Sequence, residues 1–457
     1  MIRPMLLAGF AAAALSAPLS AQASPSAVPS FRPSVYAITN ATIVPVTGPR
    51  IANGNVVIQD GKLAALGAGV AVPAGAQVID GHGLFVYPGL IDSGTRLGLV
   101  EIGSVPGGQD TQELGQFNPQ DAVLTAVNPH SVHFGITRAN GVTSVVTSAV
   151  GGLIQGSAAL IDAAGWTPDE MAENGRAAMV MTYPRVGGGG RFGRFRGGQQ
   201  EGDPAEVQSR QVRELMNYLR NAKAYIERPS PVAQNLGYAA LGPALRGEMP
   251  VLFDVQSEGQ IRGVLALADS FKLKVILRGA TDAWMLADTL AARKIPVIVG
   301  PMTAAPEGDA PYDAVYANPG VLAKAGVQIA FQSGDGGDGD ARNLPYNAAL
   351  ATAYGLDPEE ALRAVTINPA RIWGAGGPAR QPRARQGGQS FRHHRRPARR
   401  AQRGEACVHP RPADALGRPA HHAVQSIQGP APALMPPLRA GRSERAAPRR
   451  FPPRCPC

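Results

Sequence analysis

Imidazole and thiol side chains are those that most readily hold a zinc-like ion. The chain places few of them in its first 378 residues. His82, His130 and His133 are the only histidines before residue 379, and all three cysteines, Cys407, Cys455 and Cys457, lie beyond it. His130 and His133 are three residues apart, a spacing that on a helix turns both rings the same way, but Pro129 and Gly135 predict a loop there instead. No histidine in this part has a partner at metal-ligand spacing on one strand. A body without thiols also has no disulfide framework.

A second feature with chemical meaning lies between Val186 and Gln200, where the run Gly-Gly-Gly-Gly-Arg-Phe-Gly-Arg-Phe-Arg-Gly-Gly looks like an RNA-binding arginine-glycine box. A single copy between globular segments reads as a loop. The formal net charge of +10 would also suit an anionic partner, but it is unevenly spread. Of 44 basic and 34 acidic residues, 17 Arg and 3 acids fall in residues 379–457, leaving 27 bases against 31 acids in residues 1–378. The excess charge belongs to the tail, and no nucleic-acid partner is expected.

The elements that must position any site begin with an export signal. Arg3, the apolar stretch from Met5 to Leu19 and Ala21-Gln22-Ala23 have the form that signal peptidase reads. The expected signal peptide is residues 1–23, followed by a linker over 24–35, and the expected location is exported, periplasmic or secreted. No later segment has the length to span a membrane. From Tyr36 to Asp80 apolar and polar residues alternate in short runs, with turns at Gly48-Pro49 and Asp60-Gly61, which predicts a small β-meander. Beyond Asp92 the pattern becomes buried apolar strands separated by helical stretches, as in a parallel sheet with helices outside. Candidate strands are Thr143–Thr147, Ala177–Thr182, Val251–Val255, Lys274–Leu277, Pro296–Val299 and Val327–Phe331. Helices are expected over Glu206–Ile226, Gly259–Ala268, Asp282–Ala292 and Asn343–Tyr354. With the strand ending at Asp92 there are seven strands, and an α/β fold of the (β/α)8 TIM-like barrel type fits them, with one strand unplaced.

Three segments in order, Ile38-Thr39-Asn40-Ala41-Thr42-Ile43-Val44, Ile58-Gln59-Asp60-Gly61-Lys62-Leu63 and Pro88-Gly89-Leu90-Ile91-Asp92, resemble the opening of the amidohydrolase superfamily, in particular its imidazolonepropionase-like branch. Thr366-Ile367-Asn368-Pro369-Ala370, read as a turn after a helix beginning near Pro358, is a further match. The resemblance covers about residues 36–378. It implies a small N-terminal β-sandwich domain (36–87), a barrel (88–378) and hydrolysis of carbon–nitrogen bonds in a small-molecule substrate by a metal-bound hydroxide at the strand ends.

Where that family carries Asp-x-His-x-His, this chain has Asp92, Ser93, Gly94, Thr95 and Arg96. Both histidine positions are lost, and a guanidinium cannot ligate a metal. By resemblance the next two histidines fall near Asp254 and Arg278, and the aspartate of the last strand near Asp335. The resemblance therefore implies Asp92, Asp254 and Asp335 as candidate catalytic carboxylates, Arg96 and Arg278 as candidate substrate-binding cations, and Asp335 as the one retained metal ligand. No cofactor is expected unless the family's divalent, zinc-like site survives. Three readings follow: a rebuilt acid–base site, a non-catalytic ligand-binding or scaffold protein, or structural salt bridges across the barrel mouth. A homo-oligomer, or a heteromer with an active relative, is compatible with each.

After Arg371-Ile372-Trp373-Gly374 the family would continue with a segment resembling L-G-S-L-x-P-G-K-x-A-D-L, whose strands complete the small domain. This chain instead turns into Arg, Pro, Ala and Gly. Reverse-translated and read one base later, Ala379–Gln389 permits L-G-S-L-A-P-G-K-V-A-N, and Cys407–Pro412 permits V-F-I-R-G-R. The expectation is that residues 379–457 are the product of a one-base frame slip near residue 378. His393, His394, His409, His421, His422 and the cysteines would then have no selected role.

Overall fold

The computed structural model describes residues 35–59, 62–186, 203–228, 234–304, 306, 310–334 and 339–375, together with the backbone of Ala406–His409. The expected signal peptide and linker, the core of the arginine-glycine run, the Asp60-Gly61 turn, Asp335 and almost all of the tail lie outside these residues.

The N-terminal strands are β1 (Val35–Ile43), β2 (Ile51–Gln59), β3 (Lys62–Ala68), β4 (Gln77–Asp80) and β5 (Phe85–Pro88). Antiparallel pairing of β1 with β2 and of β2 with β3 makes the expected meander. Among the described residues these strands lie in one sheet, in the order β5-β1-β2-β3 with β4 also on β1. Alternation aims Ile38, Ile43, Val56 and Val86 into a small core of their own.

The barrel strands are β6 (Leu90–Thr95), β7 (Val142–Thr147), β8 (Ile154–Asp162), β9 (Ala172–Thr182), β10 (Val251–Val255), β11 (Val275–Gly279), β12 (Val297–Val299) and β13 (Ile329–Phe331). They hydrogen-bond in sequence order into an eight-stranded sheet. The unplaced strand is β8, and it runs antiparallel to both neighbours. The barrel therefore departs from all-parallel (β/α)8 order at this one position. Every residue of β8 is buried. Its small residues allow close approach: a Cβ on Gly156 would stand 2.6 Å from the Asp121 carbonyl oxygen.

Period-two alternation divides the barrel strands into two faces. Leu252, Ile276, Ile298 and Ala330 meet Val146, Leu160 and Val180 in one cluster, the barrel interior. Phe253, Leu277 and Val299 meet Leu215, Leu219, Ile261 and Leu322 of the surrounding helices in the other. Full burial of side chains such as Leu252 contributes about 2 kcal/mol each. Trp373, just beyond the helix Ile367–Ile372, belongs to the interior cluster, and its indole N–H donates to Ser93 Oγ at 3.1 Å. A strand β14 (Ala406–His409) pairs antiparallel with β5.

The helices follow local rules. Ser257 and Gln260 form a reciprocal capping box at the start of Glu258–Phe271, and Lys272 closes that helix in the left-handed conformation. Asp203 caps Pro204–Ile226, with Pro204 in the first turn. Two loop expectations are corrected. Val132–Ala139 is a helix because Ser131 caps it and Gly135 sits on its exposed side, where glycine costs only about 1 kcal/mol. Ile367–Ile372 is a short helix in place of a turn, with Pro369 in its first turns, where a missing N–H is harmless.

Candidate active site at the barrel mouth

The carboxyl ends of the parallel strands converge at one rim, and Asp254 and Arg278 are cross-strand partners there. Arg278 donates from Nε to Asp254 Oδ1 at 2.5 Å, from Nη2 to Oδ2 at 2.8 Å and from Nη1 to Ser148 Oγ at 2.6 Å. The Arg278 side chain is 5% exposed and that of Asp254 is 26% exposed, so this is a bidentate pair largely withdrawn from water and not a surface contact.

Gly94, at the first lost histidine position, faces the same pair. A Cβ built on it would stand 2.4 Å from Gln332 Oε1 and 3.2 Å from Arg278 Cδ. The space beside Gly94 is thus filled by Gln332 and by the stem of Arg278. Gln332 is anchored in turn by donating to the Gly300 carbonyl at 2.5 Å.

Asp92 has a different setting. It is fully buried, and its Oδ1 accepts the amide N–H groups of Gly94 and Ser333, each at 3.0 Å. With the Gly334 amide donating to the Gly94 carbonyl at 3.1 Å, these bonds close the barrel between β6 and β13, the two ends of the sheet. Arg96 lies one residue beyond β6 and is half-buried. Of the five sequence candidates, the structure brings Asp254 and Arg278 into direct contact, sets Asp92 in the seam and Arg96 at the end of β6. Asp335 lies outside the described residues.

Sequence reasoning missed Ser148, Gln332 and the pair formed by Gln155 and Thr182, in which the Gln155 amide donates to Thr182 Oγ1 at 2.6 Å. Alternation from Ala330, an interior residue, would have found Gln332. Near the same rim Asp282 accepts the Glu258 amide at 3.3 Å, and burial pushes its carboxyl above the usual range. Burial likewise raises the Tyr183 phenol, whose ring lies where a Cβ on Gly263 would fall, 2.2 Å away.

The three histidines of the body do not assemble. His82 is exposed in a turn, and its amide is held by Asp80. His130 is exposed. His133 Nε2 is 3.0 Å from the Glu101 carbonyl oxygen, a structural contact. Among the described residues no three His, Cys, Asp or Glu side chains come together in a way that could hold a metal ion. The described residues at the rim do not fit such an ion: a guanidinium occupies the carboxylate of Asp254, and an amide fills the room beside Gly94.

No family model matches the chain. A 68-residue stretch is 43% identical to a D-hydantoinase of Geobacillus stearothermophilus; it makes up 15% of this chain and spans only 14% of that relative's length. Among solved structures, an amidohydrolase from Thermotoga maritima MSB8 superposes with a TM-score of 0.66 at 23% identity, covering 74% of this chain and 89% of that one. A molinate hydrolase aligns over 76% of this chain and 86% of its own, at 17% identity and a TM-score of 0.46. With an eight-stranded barrel joined to a separate N-terminal sheet, the chain has the amidohydrolase fold.

Proposed function

We propose that the protein is a relative of the carbon–nitrogen bond hydrolases whose site at the barrel mouth takes a small molecule and has lost the metal-hydroxide apparatus. The observation that carries this reading is the Asp254–Arg278 pair. At positions where the resemblance expects two imidazoles, each partner has its charge engaged by the other. A divalent ion at that spot would have to displace a guanidinium already held by two hydrogen bonds and would be repelled by its charge. The groups left to handle a ligand are Asp92, Asp254 and Asp335 with Arg96 and Arg278. The buried setting of Asp92 favours a structural role for it.

The supporting experiment is a hydrolysis panel. Purified full-length protein, with zinc or manganese added, is offered N-acyl amino acids, simple amides and hydantoin. The expected result is no turnover that a chelator removes. Chelator-sensitive hydrolysis of any of these, lost in Asp254→Asn, would overturn the reading in favour of an active metal-dependent hydrolase.

A non-catalytic binding protein on the same barrel is the second reading, and the filled space beside Gly94 favours it. Small carboxylates or amides that raise the melting temperature without being consumed would support it. We further propose export to the periplasm or beyond, from the N-terminal signal pattern. We also propose a one-base slip near residue 378, from the match of the next frame, at two places, to the segments that the resemblance expects.

A further inference from the structure

The antiparallel strand β8 carries a bulge at its mouth end. Ile154 and Gly156 stand opposite consecutive residues of β9, Met181 and Val180, so Gln155 is an extra residue between them. Strict alternation from Ala158 and Leu160, both in the interior cluster, would turn Ile154 inward and Gln155 outward. Instead Ile154 packs in the outer cluster, and Gln155 reaches Thr182, two residues along β9 from interior Val180. Thr182 is the cross-strand partner of Asp254, as Asp254 is of Arg278, and Arg278 donates to Ser148. The bulge thus adds Gln155 to one polar layer at the mouth, made with Thr182, Asp254, Arg278 and Ser148.

Two hydrogen-bonding functions of that layer are unused. Gln155 is 7% exposed and its Nε2 donates to Thr182 Oγ1 at 2.6 Å, but its Oε1 is buried without a hydrogen-bond partner. Thr182 Oγ1 accepts that bond and makes no other among the described residues, which leaves its hydroxyl hydrogen to donate. Buried amides are nearly always paired, and an unmade acceptor costs more than an apolar side chain of the same shape. Half-buried Thr182 and the partly exposed carboxylate of Asp254 keep the layer open to the rim. Asp254 and Arg278 already neutralise each other, which suits a neutral group beside them. We propose that Gln155 is a specificity-determining residue of the mouth, whose Oε1 accepts from a ligand amide nitrogen that still carries a hydrogen. The Thr182 hydroxyl donates to the carbonyl oxygen of the same amide. The inference rests on the reading of the mouth as a small-molecule site and adds what that site selects: an edge with N–H and C=O side by side, as in a primary amide or a lactam.

The test compares γ-butyrolactam, which has that edge, with N-methyl-γ-butyrolactam, which keeps the carbonyl and lacks the N–H. Each is titrated into full-length protein with a chelator present, and binding is followed by ligand-observed NMR. The first should saturate and bind about tenfold more tightly than the second. In Gln155→Met, similar in shape but without the acceptor, the two should bind alike. A preference set only by the bulk of the methyl group would survive that substitution, and a merely structural role for Gln155 would weaken both ligands together. Thr182→Val should weaken both, because both present the carbonyl. Equal binding of the two lactams by the parent protein, binding of neither, or a preference kept in Gln155→Met overturns the assignment. Equal binding removes the role of Gln155 alone and leaves the mouth a small-molecule site. Opening of the γ-butyrolactam ring that needs added zinc or manganese and stops with chelator would instead remove the reading beneath it.

Discussion

Arg278 and Asp254 stand opposite each other on β11 and β10, and the guanidinium reaches both carboxylate oxygens while a third bond ties it to Ser148 on the far side of β8 and β9. One side chain thus links positions 130 residues apart in sequence. The cationic centre of the mouth is a covalent part of the chain.

Removing one partner of this pair should be far worse than removing both. Arg278→Met leaves a partly buried carboxylate without its counter-charge, and a loss of about 3 kcal/mol is expected from denaturant unfolding. Adding Asp254→Leu to Arg278→Met should recover most of that loss. A double variant no more stable than the single one would show that the pair is not the unit described.

Asp92 separates a structural from a catalytic role. Its Oδ1 accepts two buried amides. Asp92→Ala should therefore destabilise by about 2–3 kcal/mol, and hydrogen exchange should rise first at Ser333 and Gly94. Asp92→Asn keeps a carbonyl acceptor and should lose less. A stable Asp92→Ala protein with unchanged exchange at the seam would return Asp92 to the list of groups kept for chemistry alone.

Much of this architecture could be read from the residues. Val251–Val255 was legible to the residue because Val251, Leu252, Phe253 and Val255, interrupted only by Asp254, follow Pro250 and end at polar Gln256. The strand β8 was not, because its centre is Gly156-Ser157-Ala158-Ala159, small residues without β-branched signal, which the fold selects for close packing on both faces. At the site, Asp254 and Arg278 were found by resemblance, but their contact follows from strand register, which sequence does not state. Alternation from Ala330 points Gln332 inward, but Gln332 lies one residue past the three-residue β13, and an uncharged amide there carries no sign of a site.

The carboxyl of Asp282 supplies a pH test. Burial raises its folded pKa above the unfolded value near 3.8, so the native state holds its proton more tightly. Stability attributable to this group is present below the unfolded pKa and declines as pH rises through the raised folded value. Asp282→Asn keeps an acceptor for the Glu258 amide and removes the ionisation. The variant should gain stability relative to the parent between acid and neutral pH, a difference measured by urea midpoints across that range. A parent that matches the variant at every pH would contradict the assigned cause.

Trp373 plugs the interior through both area and a polar tip. Trp373→Phe should cost about 1 kcal/mol for the bond to Ser93, and Trp373→Ala about 3–5 kcal/mol for the cavity as well. Thermal unfolding of the two variants checks the order. Equal effects would mean that the indole N–H contributes nothing.

The central claim, that a guanidinium pair has replaced a metal-binding mouth, is tested most directly by metal stoichiometry. Full-length protein is incubated with excess zinc, manganese or iron, freed of loose ions by gel filtration and measured by plasma mass spectrometry beside Arg278→His. The account expects well under one equivalent in the parent protein. One tightly held ion per chain in the parent, lost in Asp254→Asn, would contradict it.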